Sequence, residues 1–240
     1  MKPGDAQLWA VMPVYNESAS LRSVVEEWLS CFRTHVESFR LGLINDGSTD
    51  ETPELMRELA AANPELLCVD KPNTGHGRSC IYGYRLALEA GAQYVFQIDS
   101  DGQCRPSDFT ALWRQRERCA AVFGRRSLRE DSVVRRLVSR LLTAQIALCA
   151  GIWVPDANVP YRLIRADLLS EALEQVPEDI DLANVALAMV LQRRRRICWV
   201  DIGFRPRTGG VSATGLTALA LKSCRLAPQL WRLRRTLGQP

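Results

Sequence analysis

Histidine is almost absent from this chain: of 240 residues, only His35 and His76 carry an imidazole. The eight cysteines are scattered at positions 31, 68, 80, 104, 119, 149, 198 and 224, and no two stand at C-x-x-C spacing. Without such ligand pairs no zinc site is expected. The cysteines read mostly as small packed hydrophobes of a reducing cytoplasm, in a chain too long to need a disulfide framework. Long apolar runs are missing too. The best candidate, LLTAQIALCAGIWV, is short and broken by Thr143 and Gln145, so no segment is expected to span a bilayer. The opening MKPGDAQ carries Asp5 and leads into only a short apolar run, which is not the pattern of a secretory signal. An excess of one charge is lacking: 31 basic and 27 acidic residues leave +4. The aromatic residues, 7% of the chain, do not interleave with the basic clusters, so no nucleic-acid partner is expected. Internal repeats and low-complexity tracts are absent as well.

What is present is a core. Apolar residues make up 47% of the chain and charged ones 24%, enough at this length for one α/β domain with an appendage. Apolar strands alternate with helices over the first hundred residues: QLWAVMPV, RLGLIND, ELLCVD and AQYVFQID as strands. Between the first two, Leu21, Val24, Val25, Trp28, Leu29 and Phe32 recur at helical spacing, with Ser18 placed to cap. Ser48 and Glu51 resemble a capping box for a helix ending near Ala62, and GRSCIYGYRLALEAG predicts a helix stopped by Gly91. Such alternation predicts a mostly parallel sheet covered on both faces. In the second half AAVFGR and ICWVDIGFRPR read as strands, DANVPYRLIR as extended, and Val133–Trp153, Asp167–Leu173 and Ile180–Arg193 as helices. TGGVSATG reads as a mobile loop, and a leucine stripe from Leu216 to Leu237, interrupted by Pro228, as an amphipathic tail. The expected division is a domain over residues 1–212 and a helical tail over 213–240.

In open parallel sheets ligands bind beyond the carboxyl ends of the strands. Here those ends read PVYNE, NDGSTD, DKPNTGHG and DSDGQ, four polar loops in a row. Asn45, Asp46 and Gly47, taken alone, are equally the makings of a simple turn. The last loop sets Asp99 and Asp101 one residue apart. If strand geometry persists, both side chains point to one side, where their repulsion calls for a cation between them. Mg²⁺ or Mn²⁺ suits carboxylates joined with phosphate oxygens, and Gln103 continues the pattern with an amide oxygen. The bland alternative is a turn capped by Asp99 with Asp101 in solvent.

The ordered motifs MPVYNE, INDGSTDET, NTGHGRSCIYGYRLA, QIDSDGQCRP, FGRR, DANVPYRLIR and FRPRTGGVS, spanning roughly residues 8–212, resemble the family 2 glycosyltransferases of the GT-A (Rossmann-like) fold. The likeness is greatest to the dolichol-phosphate mannose synthase and polyprenyl-phosphate glycosyltransferase group. It implies that Pro13, Tyr15 and Glu17 hold the nucleoside of a nucleoside-diphosphate sugar and that Asp46 hydrogen-bonds the base. Asp99, Asp101 and Gln103 match the metal site on the diphosphate. Arg125 stands beside the substrate phosphates, and Arg207 and Ser212 belong to a loop that closes over them. The sequence departs from the family at Ala213 and His76, where lysine is usual, and at DANVPYR, so substrate identity does not carry over.

The resemblance implies metal-dependent, inverting sugar transfer to a polyprenyl phosphate at the cytoplasmic face of a membrane. A phosphate acceptor is already anionic and needs no general base. A hydroxyl acceptor, the first alternative, needs one, and PEDIDL offers Glu178, Asp179 and Asp181, acids that equally suit a helix N-terminus. The second alternative is a module that binds a nucleotide-sugar without turnover. A helix with Val133, Val134, Leu137, Val138, Leu141 and Leu142 on one face and Arg135, Arg136 and Arg140 on the other suits anionic headgroups, as does the basic tail; a core helix and a solvated tail are the alternative.

Overall fold

The computed structural model describes residues 6–129 (side chains to 126), 143–148, 151–177, 182–194 and 196–205, together with 228, 231 and 234. Seven strands form one sheet: β1 Leu8–Val14, β2 Phe39–Asp46, β3 Leu66–Lys71, β4 Tyr94–Ile98, β5 Ala121–Arg129, β6 Tyr161–Arg165 and β7 Ile197–Phe204. Their order is β3-β2-β1-β4-β6-β5-β7. All neighbours run parallel except β6, which is antiparallel to both β4 and β5. The expected mostly parallel sheet is therefore present. Its strands alternate faces: Trp9 and Val11 pack to one side, Leu8, Ala10, Met12 and Val14 to the other.

Helices α1 (Leu21–His35), α2 (Thr52–Ala62) and α4 (Phe109–Gln115) cover one face; α3 (His76–Glu89), α5 (Ala166–Leu173) and α6 (Ala183–Arg193) cover the other. The six apolar positions read for α1 are all buried. Around Trp28 the aromatic rings of Phe32, Phe96 and Tyr161 lie 5.4–5.9 Å away, pinning α1 to the middle of the sheet. On the opposite face α3 lies so close that a Cβ on Gly83 would fall 2.3 Å from Val11 Cγ1. That approach fixes where the N-terminus of α3 meets the strand ends. At its other end Gly91, with φ 73°, and the bonds Ala92 N–H to Ala87 O and Gly91 N–H to Leu88 O form the Schellman stop that the sequence predicts.

Several local expectations need correction. Ser18 does not cap α1; Ser20 precedes the helix and its hydroxyl donates to Glu17 Oε2. Ser48 and Glu51 form no capping box, because the Ser48 hydroxyl accepts the Asn16 N–H instead. The segment after Gln103, to which no element was assigned, holds a 3₁₀ turn, Pro106–Asp108, leading into α4. Of the helix expected over Val133–Trp153, residues 143–148 are helical and Gly151, at φ 68°, is not; residues 133–142 and 149–150 lie outside the described part. Two cysteines do not pack as lone hydrophobes: Cys119 and Cys198, 79 residues apart in sequence, are joined in a disulfide beside β5 and β7. The tail and the 212/213 boundary lie outside the described residues, apart from the helical positions 228, 231 and 234.

Candidate active site

The strand order makes β1 the switch point of the sheet: β2 and β3 continue to one side, β4 to the other. Pairing between β1 and β4 stops at Val11 and Gln97, whereas β1 stays paired with β2 to Val14. Pro13 thus sits where the strand has no β4 neighbour to supply with an N–H, the position a proline tolerates. The two strands part above it into a crevice.

The loops around that crevice are tied to one another by side chains. Asn16 holds φ 52°, a left-handed conformation unusual outside glycine. Its N–H donates to Ser48 Oγ at 3.0 Å and its Oδ1 accepts the Thr49 N–H at 2.8 Å. Glu17 N–H donates to Thr52 Oγ1, and Ser18 N–H to Asp50 Oδ2. These bonds clip the loop after β1 to the loop after β2. Tyr15 stands exposed at the rim, whereas the Glu17 side chain is buried against the start of α1.

Asp46, buried at the end of β2, clips the next pair of loops. Its Oδ1 accepts the Thr74 N–H and its Oδ2 the Gly75 N–H, both at 2.9 Å, and Lys71 Nζ donates to the same carboxylate. Lys71 also reaches Thr74 Oγ1 and Ser79 Oγ. Burial works against the charged carboxylate, but Lys71, Thr74 and Ser79 outweigh it and hold the Asp46 pKa below the usual range. Gly47 passes so near this loop that a Cβ would lie 2.8 Å from Asn73 N, and its φ is 70°.

The acid pair at β4 departs from the expected geometry. The strand ends at Ile98 and the chain turns, with Gly102 at φ 72°, so strand alternation does not carry through to Asp101. Asp99 faces α3, where His76 Nε2 lies 2.9 Å from its Oδ1. Asp101 Oδ1 accepts the Gln103 N–H at 3.0 Å, so Asp101, not Asp99, caps the turn. Gln103 is buried, and its Nε2 donates to Arg205 O at 3.3 Å.

Arg125 is not brought to this loop. Its guanidinium forms a bidentate pair with Asp201 on β7, at 2.7 and 3.1 Å, and both side chains are half exposed. The adjacent Arg126 takes the opposite strand face. It pairs with buried Asp156 at 2.6 and 2.7 Å and lies over the Phe204 ring, whose residue bridges Cys104 next to Gln103. Arg207, Ser212, Glu178, Asp179 and Asp181 lie outside the described residues. The sequence reading missed Asn16, Lys71, Arg126 and Arg205. Strand alternation separates Arg125 from Arg126 but does not say which face meets the acids.

A divalent cation fits the donor chemistry at the β4 tip: two carboxylates with one residue between them, and an amide close behind. Among the described residues no three acidic, histidine or cysteine side chains converge as a ready-made cage. Sites of the Mg²⁺ type use one or two carboxylates together with substrate phosphates.

A sheet in this order with one reversed strand, and acids at the tip of the strand beside the switch point, defines the GT-A class of glycosyltransferase folds. Within it, the chain belongs to Glycosyl transferase family 2, whose profile matches residues 9–173. The undecaprenyl-phosphate 4-deoxy-4-formamido-L-arabinose transferase of Pseudomonas fluorescens is 30% identical over 180 residues, 72% of this chain and 51% of that protein. The protein of the same description from Photorhabdus laumondii is 27% identical over 168 residues, 68% of this chain and 50% of its own length. The chain thus spans about half the length of these curated relatives. Among solved structures, glucosyl-3-phosphoglycerate synthase of Mycobacterium tuberculosis superimposes with a TM-score of 0.68 at 22% identity, covering 98% of this chain and 82% of that one. At that identity the likeness is one of fold.

Proposed function

We propose that this protein moves a sugar from a nucleoside diphosphate onto a polyprenyl phosphate, by a metal-dependent, inverting transfer at the cytoplasmic face of a membrane. The observation that carries the reading is the acid pair at the β4 tip, standing where β1 and β4 part, with Asp99 against His76 at the start of α3. Its support from relatives is that the matching proteins are named for undecaprenyl phosphate, and that the Mycobacterium tuberculosis enzyme has been crystallised with Mn²⁺ and UDP-glucose.

In this reading Pro13 and Tyr15 line the nucleoside side of the crevice, and buried Glu17 and Asp46 act there by holding the loops that face the base, Asp46 through its bonds to Lys71, Thr74 and Gly75. Asp99 and Asp101, with Gln103 behind them, hold Mg²⁺ or Mn²⁺ against the diphosphate. When bound, the ion supplies Lewis-acid stabilisation of the departing charge. The family resemblance assigns Arg207 and Ser212, outside the described residues, to the phosphates, whereas Arg125, held by Asp201, is not brought to them. An oxygen of the acceptor phosphate attacks the anomeric carbon as the bond from that carbon to the diphosphate breaks, its electron pair leaving with the diphosphate. The attacking oxygen is anionic, so no side chain needs to take a proton.

Among the described residues no helix is long and apolar enough to cross a membrane. Contact with the bilayer in this proposal is peripheral, and exposed Leu148 and Trp153, on either side of the Gly151 turn, suit it. The test is product analysis: incubated with nucleotide-sugars, Mn²⁺ and undecaprenyl phosphate, the chain should yield a sugar lipid cleaved by mild acid. Given hydroxyl-bearing glycans or lipids instead, an acid-stable product means a hydroxyl acceptor; no product from either acceptor class leaves only a binding module.

A further inference from the structure

The end of β7 is fastened to the acid loop more firmly than sheet pairing requires. Arg205 N–H donates to Gln103 O at 3.0 Å, and the Gln103 amide returns a bond to Arg205 O at 3.3 Å. The Arg205 guanidinium donates through Nε to Gly102 O and through Nη2 to Glu27 Oε2 on α1. One residue earlier Phe204 bridges Cys104, and Gly203 N–H donates to Asp108 Oδ2. The turn that carries Asp101 thus has its two following carbonyls, Gly102 and Gln103, both taken by Arg205. Gly102 is at φ 72°, the conformation that reverses the chain after Asp101.

We propose that Arg205 is a positioning residue, a latch anchored by Glu27 that sets the turn holding Asp101 and Gln103. The proposal rests on the reading of those residues as the cation and diphosphate site. Arg205 touches no reacting atom. Its guanidinium holds the Gly102 carbonyl while its backbone N–H holds that of Gln103, and Glu27 keeps the guanidinium in place through a charge-assisted bond.

The test uses the full chain and three variants, Arg205→Ala, Arg205→Lys and Glu27→Gln. Amide hydrogen exchange over residues 101–105, read by mass spectrometry without added ligand, should quicken about tenfold in Arg205→Ala, as expected when a local opening loses charge-assisted bonds. It should quicken less in Glu27→Gln, which keeps the guanidinium bond to Gly102 O and serves if the alanine variant does not fold. Calorimetry with Mn²⁺ and UDP should show about tenfold weaker binding in Arg205→Ala, partly restored in Arg205→Lys. Donor KM should rise with a smaller change in kcat. Exchange at 101–105 equal to that of the parent chain in both Arg205→Ala and Glu27→Gln overturns the latch. Faster exchange in a chain that never binds Mn²⁺ with UDP keeps the latch and removes the cation–diphosphate reading.

Discussion

His76 Nε2 lies 2.9 Å from Asp99 Oδ1, joining the first residue of α3 to the tip of β4 across the crevice. A cation taken up at Asp99 must compete with this imidazole for the same oxygen. Half-exposed pairs of this kind contribute about 0.2–1 kcal/mol, so His76→Ala should lower the Mn²⁺ concentration for half-maximal binding about 1.4- to fivefold. Electron paramagnetic resonance of free Mn²⁺, titrated with protein in the presence of UDP, reads this directly. An unchanged or higher half-saturation would mean that His76 assists the metal rather than competes with it.

Asp46 gives the fold a pH dependence of known sign. Its folded-state pKa is depressed below the unfolded value, so its stabilisation is present above the usual carboxylate range of about 4 and is lost as pH falls through the folded pKa. Removing one partner of a buried ion pair costs about 3–5 kcal/mol, and Asp46→Asn should cost that order at pH 7. Between pH 5 and the acid limit the parent chain should lose stability toward that of the variant. Urea titrations across this range check it; parallel curves would remove Asp46 from the account.

Gly83 sets the seat of α3. A Cβ there lies 2.3 Å from Val11 Cγ1, an overlap that a branched side chain in a central strand cannot relieve by rotation alone. Overpacking costs about 1–3 kcal/mol and outweighs the roughly 1 kcal/mol that alanine gains in helix propensity. Gly83→Ala should therefore be net destabilised in urea, although most helical glycines are stabilised by the same change.

Asn16 combines a left-handed backbone with two bonds to the loop after β2. Asn16→Ala keeps the backbone strain and loses the acceptor for Thr49 N–H, a cost of about 1–2 kcal/mol. Asn16→Gly relieves the strain without restoring that bond and should fall between alanine and the parent chain. Equal stability of all three would show that the loop clip contributes nothing.

Much of this architecture was legible because it is periodic. The apolar runs gave the strands, the spacing from Leu21 to Phe32 gave α1, and Gly91 gave the end of α3. What escaped was decided by tertiary partners. Ser18 and Ser48 have the composition of caps, but the loops they belong to bond one another first. Asp99 and Asp101 follow strand alternation only while the strand lasts, and it stops at Ile98. Phe109, Leu112 and Trp113 carry helical spacing over too few residues to stand out, and they form α4 by packing on α1 and the sheet. The Cys119–Cys198 bond, the Arg126–Asp156 pair and the Arg205 latch join residues 79, 30 and 102 or more positions apart, and no local pattern announces them.

The central claim is that Asp101 and Asp99 hold a divalent cation against a nucleoside diphosphate. Isothermal calorimetry of UDP and GDP, with Mn²⁺ and with EDTA, on the parent chain and Asp101→Asn tests it most directly. The account predicts binding of one nucleotide that needs Mn²⁺ and weakens by about tenfold to a hundredfold in the variant, the scale of losing a charged ligand. Nucleotide affinity that is the same with Mn²⁺ or EDTA, and the same in both proteins, would contradict it.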